Sequence, residues 1–394
     1  MKLRNIAGFI TQHPLDIQKV EISMQNKKVA LAVAAALAIP AAAHADTTIY
    51  GFLSGGVEST KATGGPAGKE YSTTTRVVDN NSRIGFKGDE DLGNGLKTIW
   101  QVESSLRNFE QGGTNDKGDS ATLATRNTFI GLQSSAWGTV QLGQYDSAYK
   151  RLTNVGLNVL ADTTADTQNA VSIFSHRETR LKNSVHYTSP VFSGFQAGAS
   201  YGWDEVAAPK SDNRYSIAAQ YNNAGLVIGA GYDSEGSDIN SGAAGKVNTT
   251  NGWKLAAAYT IPGVGTLVGA GFERVTNKVT GGSDQNQNDW LIAVAQPFGA
   301  FTLKAAYGQQ GGLSNPSTGS SDDYKATQWV LGGSYDLSKK TQAYVYATRI
   351  NNHSKAKVDF NVNPVYTSGQ GTAAAALDAG NDPQAFGIGL KTVF

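Results

Sequence analysis

The chain has 394 residues, a mean hydropathy of −0.31, and 33 Lys and Arg against 32 Asp and Glu. The hydropathy excludes a helical multi-span membrane protein, and the charge balance leaves no basic excess of the kind nucleic acid demands. With no Cys, disulfides, thiolate metal sites and thiol catalysis are excluded as well.

The first element in chain order is an export signal. Lys27 and Lys28 precede the apolar run Val29–Ile39, followed by Pro40 and an A-x-A site at Ala43-His44-Ala45. That order defines a Sec signal peptide, and the run is shorter than the about 20 residues a spanning helix needs. Residues 1–45 are therefore the expected signal peptide and 46–394 the mature domain. A polar-mixed stretch rarely precedes the basic region of such a signal. Met24 is accordingly the expected start, which makes residues 1–23 a start-site misassignment.

Beyond Ile39 the chain alternates with a period of two, the signature of strands with two unlike faces. Strands are expected near 48–58, 73–88, 95–107, 123–134, 138–145, 180–189, 195–203 and 213–222. They continue near 225–233, 251–260, 265–276, 288–297, 300–310, 325–336, 341–352 and 385–394. In three of them Trp253, Leu255, Ala257 and Tyr259 share a face, as do Trp290, Ile292 and Val294, and Trp329, Leu331 and Tyr335. The opposite faces are small or polar.

Short turns, such as Asp91-Leu92-Gly93-Asn94, Asn222-Asn223-Ala224 and Pro297-Phe298-Gly299, alternate with long polar loops. The long loops include 59–72, 108–122, 146–179, 235–250, 277–287, 311–324 and 353–384. A transmembrane barrel explains that alternation, because one rim faces the periplasm and the other faces outside. Lipid offers no partner for a free backbone amide, so an open sheet is excluded and a closed barrel remains. The expected fold is an all-β, sixteen-stranded antiparallel transmembrane β-barrel of the cell outer membrane.

Ser82-Arg83-Ile84-Gly85-Phe86-Lys87-Gly88-Asp89-Glu90-Asp91-Leu92-Gly93-Asn94-Gly95-Leu96-Lys97 resembles the signature of Gram-negative general-diffusion porins. Thr125-Arg126-Asn127-Thr128-Phe129-Ile130-Gly131-Leu132, Trp137-Gly138-Thr139-Val140-Gln141-Leu142-Gly143 and Arg180–Pro190 resemble their fourth, fifth and sixth strands. With Tyr335–Thr341 near the end, the resemblance covers the mature chain and is nearest to the beta-proteobacterial trimeric porins. It implies a homotrimer and a third loop folded into the lumen. It also implies a water-filled channel for passive diffusion of small hydrophilic solutes and ions, with no cofactor or metal.

The same resemblance implies a basic wall at the constriction. If Ile84 and Phe86 share the outer face, Arg83, Gly85 and Lys87 point to the lumen; Arg126, sharing a face with Thr128 opposite Phe129, is expected to do the same. Arg180 or Lys182 opens the sixth strand. Fixed guanidinium groups stay charged at any physiological pH and select ions, which gives a weak anion preference. In the third loop, Asp146, Lys150, Arg151, Asp162 and Asp166 are candidates to face that wall. The Pro-Glu-Phe-Gly-Gly run that presents acidic residues in better-known relatives is missing here, which leaves the wall-facing carboxylates open; Asp162 and Asp166 are the candidates.

Phe394 ends an amphipathic strand with Phe386, Ile388 and Leu390 and resembles the signal read by the outer-membrane assembly machinery. Asn127, read on the outer face of strand four, suggests a subunit contact, because a polar group is costly against lipid. Outer-membrane lipid and lipopolysaccharide are the other expected partners. The Gly-Lys pair of 63–70 lacks the first glycine and the hydroxyl residue of a phosphate loop. His176, His186 and His353 show no metal-ligand spacing. The alternatives are a solute-specific channel for a sugar or organic acid and, more remotely, a barrel enzyme.

Overall fold

The computed structural model describes residues 47–66, 70–106, 113–114, 120–121, 123–205, 212–236, 245–365 and 377–394. The expected signal peptide and the alternative start fall outside them. Among the described residues the regular secondary structure is almost all strand. It begins with β1 Thr48–Gly64, β2 in two segments (Tyr71–Asp79 and Arg83–Gly93), β3 Leu96–Ser105, β4 Thr128–Ser134 and β5 Gly138–Asp146. After the short helix α1 Ala148–Leu152 come β6 Arg180–Thr188, β7 Phe195–Gly202, β8 Arg214–Asn223 and β9 Leu226–Gly236. β10 Val247–Thr260, β11 Leu267–Val279, β12 Gln285–Phe298 and β13 Phe301–Gln310 follow. The last three are β14 Ala326–Asp336, β15 Thr341–Asn352 and β16 Asn381–Val393.

Each strand pairs antiparallel with its chain neighbours, and β1 pairs with β16 through Phe52↔Val393 to Gly64↔Asn381, which closes the sheet into a sixteen-stranded barrel. Every expected strand is present. Several run further than the alternation indicated: β1 extends to Gly64 and β16 begins at Asn381. The pairing in these hairpins continues past the roughly 9–11 residues that a tilted strand needs to cross lipid. No helix is long and apolar enough to cross a membrane among the described residues.

Alternation sets the faces. Leu53, Val57, Leu255, Ile292, Leu331, Ile388 and Leu390 point outward and are exposed, whereas Lys254, Ala256, Leu291, Ala293 and Val330 point inward and are buried. The one-residue change of side along a pleated strand requires this division. Short turns carry the backbone conformations that tight hairpins need. Ala224 and Gly225, at φ 49° and 84°, form a two-residue turn between β8 and β9 whose twist matches its strands.

What is buried lies inside the barrel. Val155, Leu157, Leu160, Ile173 and Phe174 of the 147–179 segment pack against Ala256, Ala258, Leu291, Ala306, Val330 and Tyr346 of the wall. The third long loop is thus folded inward. The last long loop, expected to be external and polar, also turns inward at residues 353–365, with Val358, Phe360 and Val365 buried in the same cluster.

Candidate functional site

The barrel ladder is irregular at one height on the β1–β6 side, and the charged groups gather there. β2 breaks between Asp79 and Arg83, where Asn81 takes φ 61°, tolerable for its short polar side chain. Side chains mend the break. Ser82 N–H donates to Asp79 Oδ1 at 3.1 Å, and Ser54 N–H donates to Ser82 Oγ at 2.9 Å. Ala124 at φ 62° bends the chain before β4, a register shift interrupts β5 after Gly143, and Asn183 at φ 43° interrupts β6.

These breaks aim three guanidinium groups inward, each paired with a carboxylate. Arg83 binds Asp162 of the third loop, to which Asn81 Nδ2 also donates at 2.6 Å. Arg126 Nε donates to Glu103 Oε1 at 2.5 Å, while Tyr50 OH donates to Oε2 at 2.9 Å. Arg180 Nη2 lies 3.1 Å from Asp146 Oδ1, and its Nε donates to Asn127 Oδ1 at 2.7 Å. The three guanidinium groups are near enough to repel one another electrostatically. Lys391 Nζ stands 3.9 Å from the centroid of Phe52 and 3.7 Å from Asp162, and Arg83 covers the same ring. Lys87 lies over Tyr50 at 5.3 Å.

Of the expected basic wall, Arg83, Arg126, Arg180 and Lys87 thus share one side of the lumen, while Lys182 is exposed beside the break at Asn183. Lys150 Nζ pairs with Asp146 at 3.1 Å. Arg151 stacks on Tyr145, donates from Nε to the Asp146 carbonyl at 3.0 Å and from Nη1 to Thr188 Oγ1 at 2.7 Å; burial lowers its pKa.

Three readings are corrected. Asp166 does not face the arginines. It is buried inside the loop, where it accepts from Asn158 Nδ2 at 2.7 Å and from the N–H groups of Gln168 and Asp162, and burial pushes it up to about 6. Phe129 faces the lumen, its ring 4.8 Å from that of Tyr145, while Ile130 points outward. Arg126 therefore reaches the lumen by the bend ahead of β4 and not by sharing a face along it. Asn127 is no outer-face residue either: its amide bridges Asp146 and Arg180. Glu103, Asn81 and Lys391 were missed. Face parity across β2 and β3 finds Glu103, which stands opposite Gly85.

The third loop is bound at several points along its path. Ala148 N–H donates to Ser200 Oγ at 2.8 Å, and that hydroxyl meets His186, buried between Ser184 and Ser200. Glycines on the inner wall then admit the loop. A Cβ at Gly269 would lie 2.5 Å from Leu157, one at Gly271 2.7 Å from Phe174, and one at Gly332 2.8 Å from Leu160. On the return limb, His176 contacts Glu273 and Asp289, and Arg177 binds Asp233 and Glu235 beside Arg214. Glu178 accepts from Lys254 at 2.6 Å. For Arg177, burial opposes the charge but Asp233 and Glu235 outweigh it and raise the pKa. For His176 burial likewise opposes the charge, yet hydrogen bonds to Asp289 and Glu273 prevail and hold it up to about 10.

The last loop completes the enclosure. Arg76 donates to the carbonyls of Pro364 and Asn363 at 2.8 and 2.7 Å, and the Asn363 amide sits between Asn80 and Thr164 of the third loop. Asp359, half-buried, accepts from the N–H groups of Phe360 and Val365 at 2.7 and 3.4 Å, and desolvation drives its carboxyl up to about 7. At the far end, Phe394 packs beside Gly51, to whose carbonyl its N–H donates at 3.1 Å.

Comparison with known proteins agrees with this architecture. The family model described as Gram-negative porin matches residues 30–355. The major outer membrane protein P.IB of Neisseria gonorrhoeae is 30% identical over 345 residues, covering 82% of this chain and 93% of that protein. Its counterpart in Neisseria lactamica is 31% identical over 331 residues, with the same coverages. Among solved structures, the anion-selective porin from Comamonas acidovorans superposes with a TM-score of 0.67 at 21% identity, covering 89% of this chain and 100% of that one.

Proposed function

The chain belongs to the Gram-negative porin family and forms a passive diffusion channel in the outer membrane, and on that premise we propose that its constriction is the gap between the arginine wall and the third loop, weakly preferring anions. The observation that carries this reading is the contact of Arg83 with Asp162, which brings the far reach of the loop onto the basic wall. Around it, Arg83, Arg126, Arg180, Lys150, Lys87 and Lys391 outnumber Asp162, Glu103 and Asp146. An excess of fixed cations raises the local concentration of anions, while the paired carboxylates keep the preference small. The Comamonas neighbour, described as anion-selective, points the same way. Reversal potentials of single channels in a KCl gradient test the proposal. Anion preference is expected, and a clear cation preference overturns it.

We further propose a homotrimer, with part of the outward apolar face covered by neighbouring subunits and the remainder by outer-membrane lipid and lipopolysaccharide. The mass of the detergent-solubilised particle measures that directly, and a monomeric mass rejects it. Cleavage after Ala45 and recognition of Phe394 by the assembly machinery belong to the same reading. N-terminal sequencing of the mature protein, and the folded yield after deletion of Phe394, report on them.

A further inference from the structure

The return limb of the third loop meets the wall at a cluster that the channel reading leaves without a role. His176 Nδ1 lies 3.2 Å from Glu273 Oε2 on β11 and 3.1 Å from Asp289 Oδ2 on β12, and both carboxylates are fully buried. His176 Nε2 lies 3.0 Å from the carbonyl of Ser172, which can only accept, so Nε2 carries a hydrogen and donates it. In the neutral ring Nδ1 is then a lone pair aimed at two anionic oxygens.

A proton on Nδ1 relieves only part of that repulsion, because one hydrogen faces two acceptors. Glu273 is already well served: Oε1 accepts from Tyr149 OH at 2.5 Å and Oε2 from His176 N–H at 2.7 Å. Asp289 Oδ1 accepts from Gly311 N–H at 3.0 Å, whereas Oδ2 has, among the described residues, only the shared contact with His176 Nδ1 at 3.1 Å. A buried carboxylate oxygen that must share its one donor with a second carboxylate is poorly compensated. A cation at the common focus of the three groups satisfies all of them at once.

The two spacings from the imidazole fit such an ion. Two ligand atoms, each about 2.0–2.1 Å from a tetrahedral zinc, stand about 3.3–3.4 Å apart, close to the 3.1 and 3.2 Å found here. The three ligand atoms all lie within 4.8 Å of one another. The outer partners are those expected of a metal site. The far imidazole nitrogen donates to a backbone carbonyl, and both carboxylates are held by hydrogen bonds of their own. One imidazole with two carboxylates suits a borderline first-row ion better than calcium or magnesium, which prefer all-oxygen shells.

We propose that His176 Nδ1, Glu273 and Asp289 form a binding site for a divalent transition ion of the zinc class, which clamps the third loop to β11 and β12. The ion and the imidazolium proton compete for one place. The test uses the full-length folded channel in detergent, stripped with a chelator and titrated with zinc chloride by calorimetry, alongside His176→Ala and the near-isosteric Asp289→Asn. One zinc per chain is expected, bound at least a hundredfold more weakly in either variant and at least a hundredfold more tightly than magnesium. Hydrogen exchange of residues 168–179 should slow when zinc binds the parent channel. Absence of binding at micromolar zinc, or equal binding by the parent and a folded Asp289→Asn, overturns the site. If His176→Ala does not fold, Asp289→Asn and the exchange measurement still decide.

Discussion

Neutralising Asp162 is the sharpest probe of the proposed constriction. Asp162→Asn preserves shape and leaves Arg83 without its carboxylate and Lys391 without its nearest one. The loop should stay in place, because Leu157, Leu160 and Phe174 remain seated against the wall glycines and Arg177 remains bound to Asp233. The change is then chiefly one of charge. An ion passing about 5 Å from that position in a water-like medium feels roughly 0.8 kcal/mol from one unit charge. Screening at about 0.1 M salt cuts this to about 0.5 kcal/mol. The term has opposite signs for chloride and potassium, so their permeability ratio should move by about 1 kcal/mol, or fivefold, toward anions. Single-channel conductance should change by less than about twofold over the same substitution. Reversal potentials of parent and variant in the same KCl gradient supply the measurement. A variant of normal conductance whose reversal potential is unchanged, or shifted toward cations, refutes the placement of Asp162 beside the ion path.

The double substitution Arg83→Ala with Arg126→Ala leaves Asp162 and Glu103 uncompensated; it should enlarge conductance and move the reversal potential toward cations, and an unchanged potential removes both residues from the constriction. Gly271→Val forces side-chain atoms into the space held by Phe174 and Leu157; at about 1–3 kcal/mol for such overpacking, residues 155–175 should exchange amide hydrogens faster and conductance should rise. Asp359, held up to about 7 by burial, binds its proton more tightly in the docked last loop than in a solvated one. Docking should therefore strengthen by up to about tenfold per pH unit as pH falls from 7 toward 4 and be flat above 7. Exchange protection of residues 353–365, corrected for intrinsic rate, should show that slope, and Asp359→Asn should abolish it.

The barrel was legible without coordinates because its determinants are local. Side chains change sides at every residue of a strand, so Leu255, Ile292 and Leu331 could be placed outward and Ala256, Leu291 and Val330 inward from spacing alone. The alternation of short and long connections fixed which rim each belongs to. The same reasoning placed Arg83 and Lys87 in the lumen, since β2 is regular from Arg83 onward. It failed for Phe129 and Asn127, where the bend at Ala124 and the β5 register shift break the period on which the inference depends. Loop carboxylates were harder still. Asp162 and Asp166 are alike in sequence, yet one reaches Arg83 and the other is buried against Asn158. The inward fold of the last loop carried only a weak signal, the apolar Val358, Phe360 and Val365 within a polar stretch. A strand's faces follow from its own backbone geometry, but the path of a loop inside a barrel is chosen by contacts with distant residues. Here those contacts are wall glycines that leave room and buried ion pairs that hold the loop, and only the closed fold brings them together.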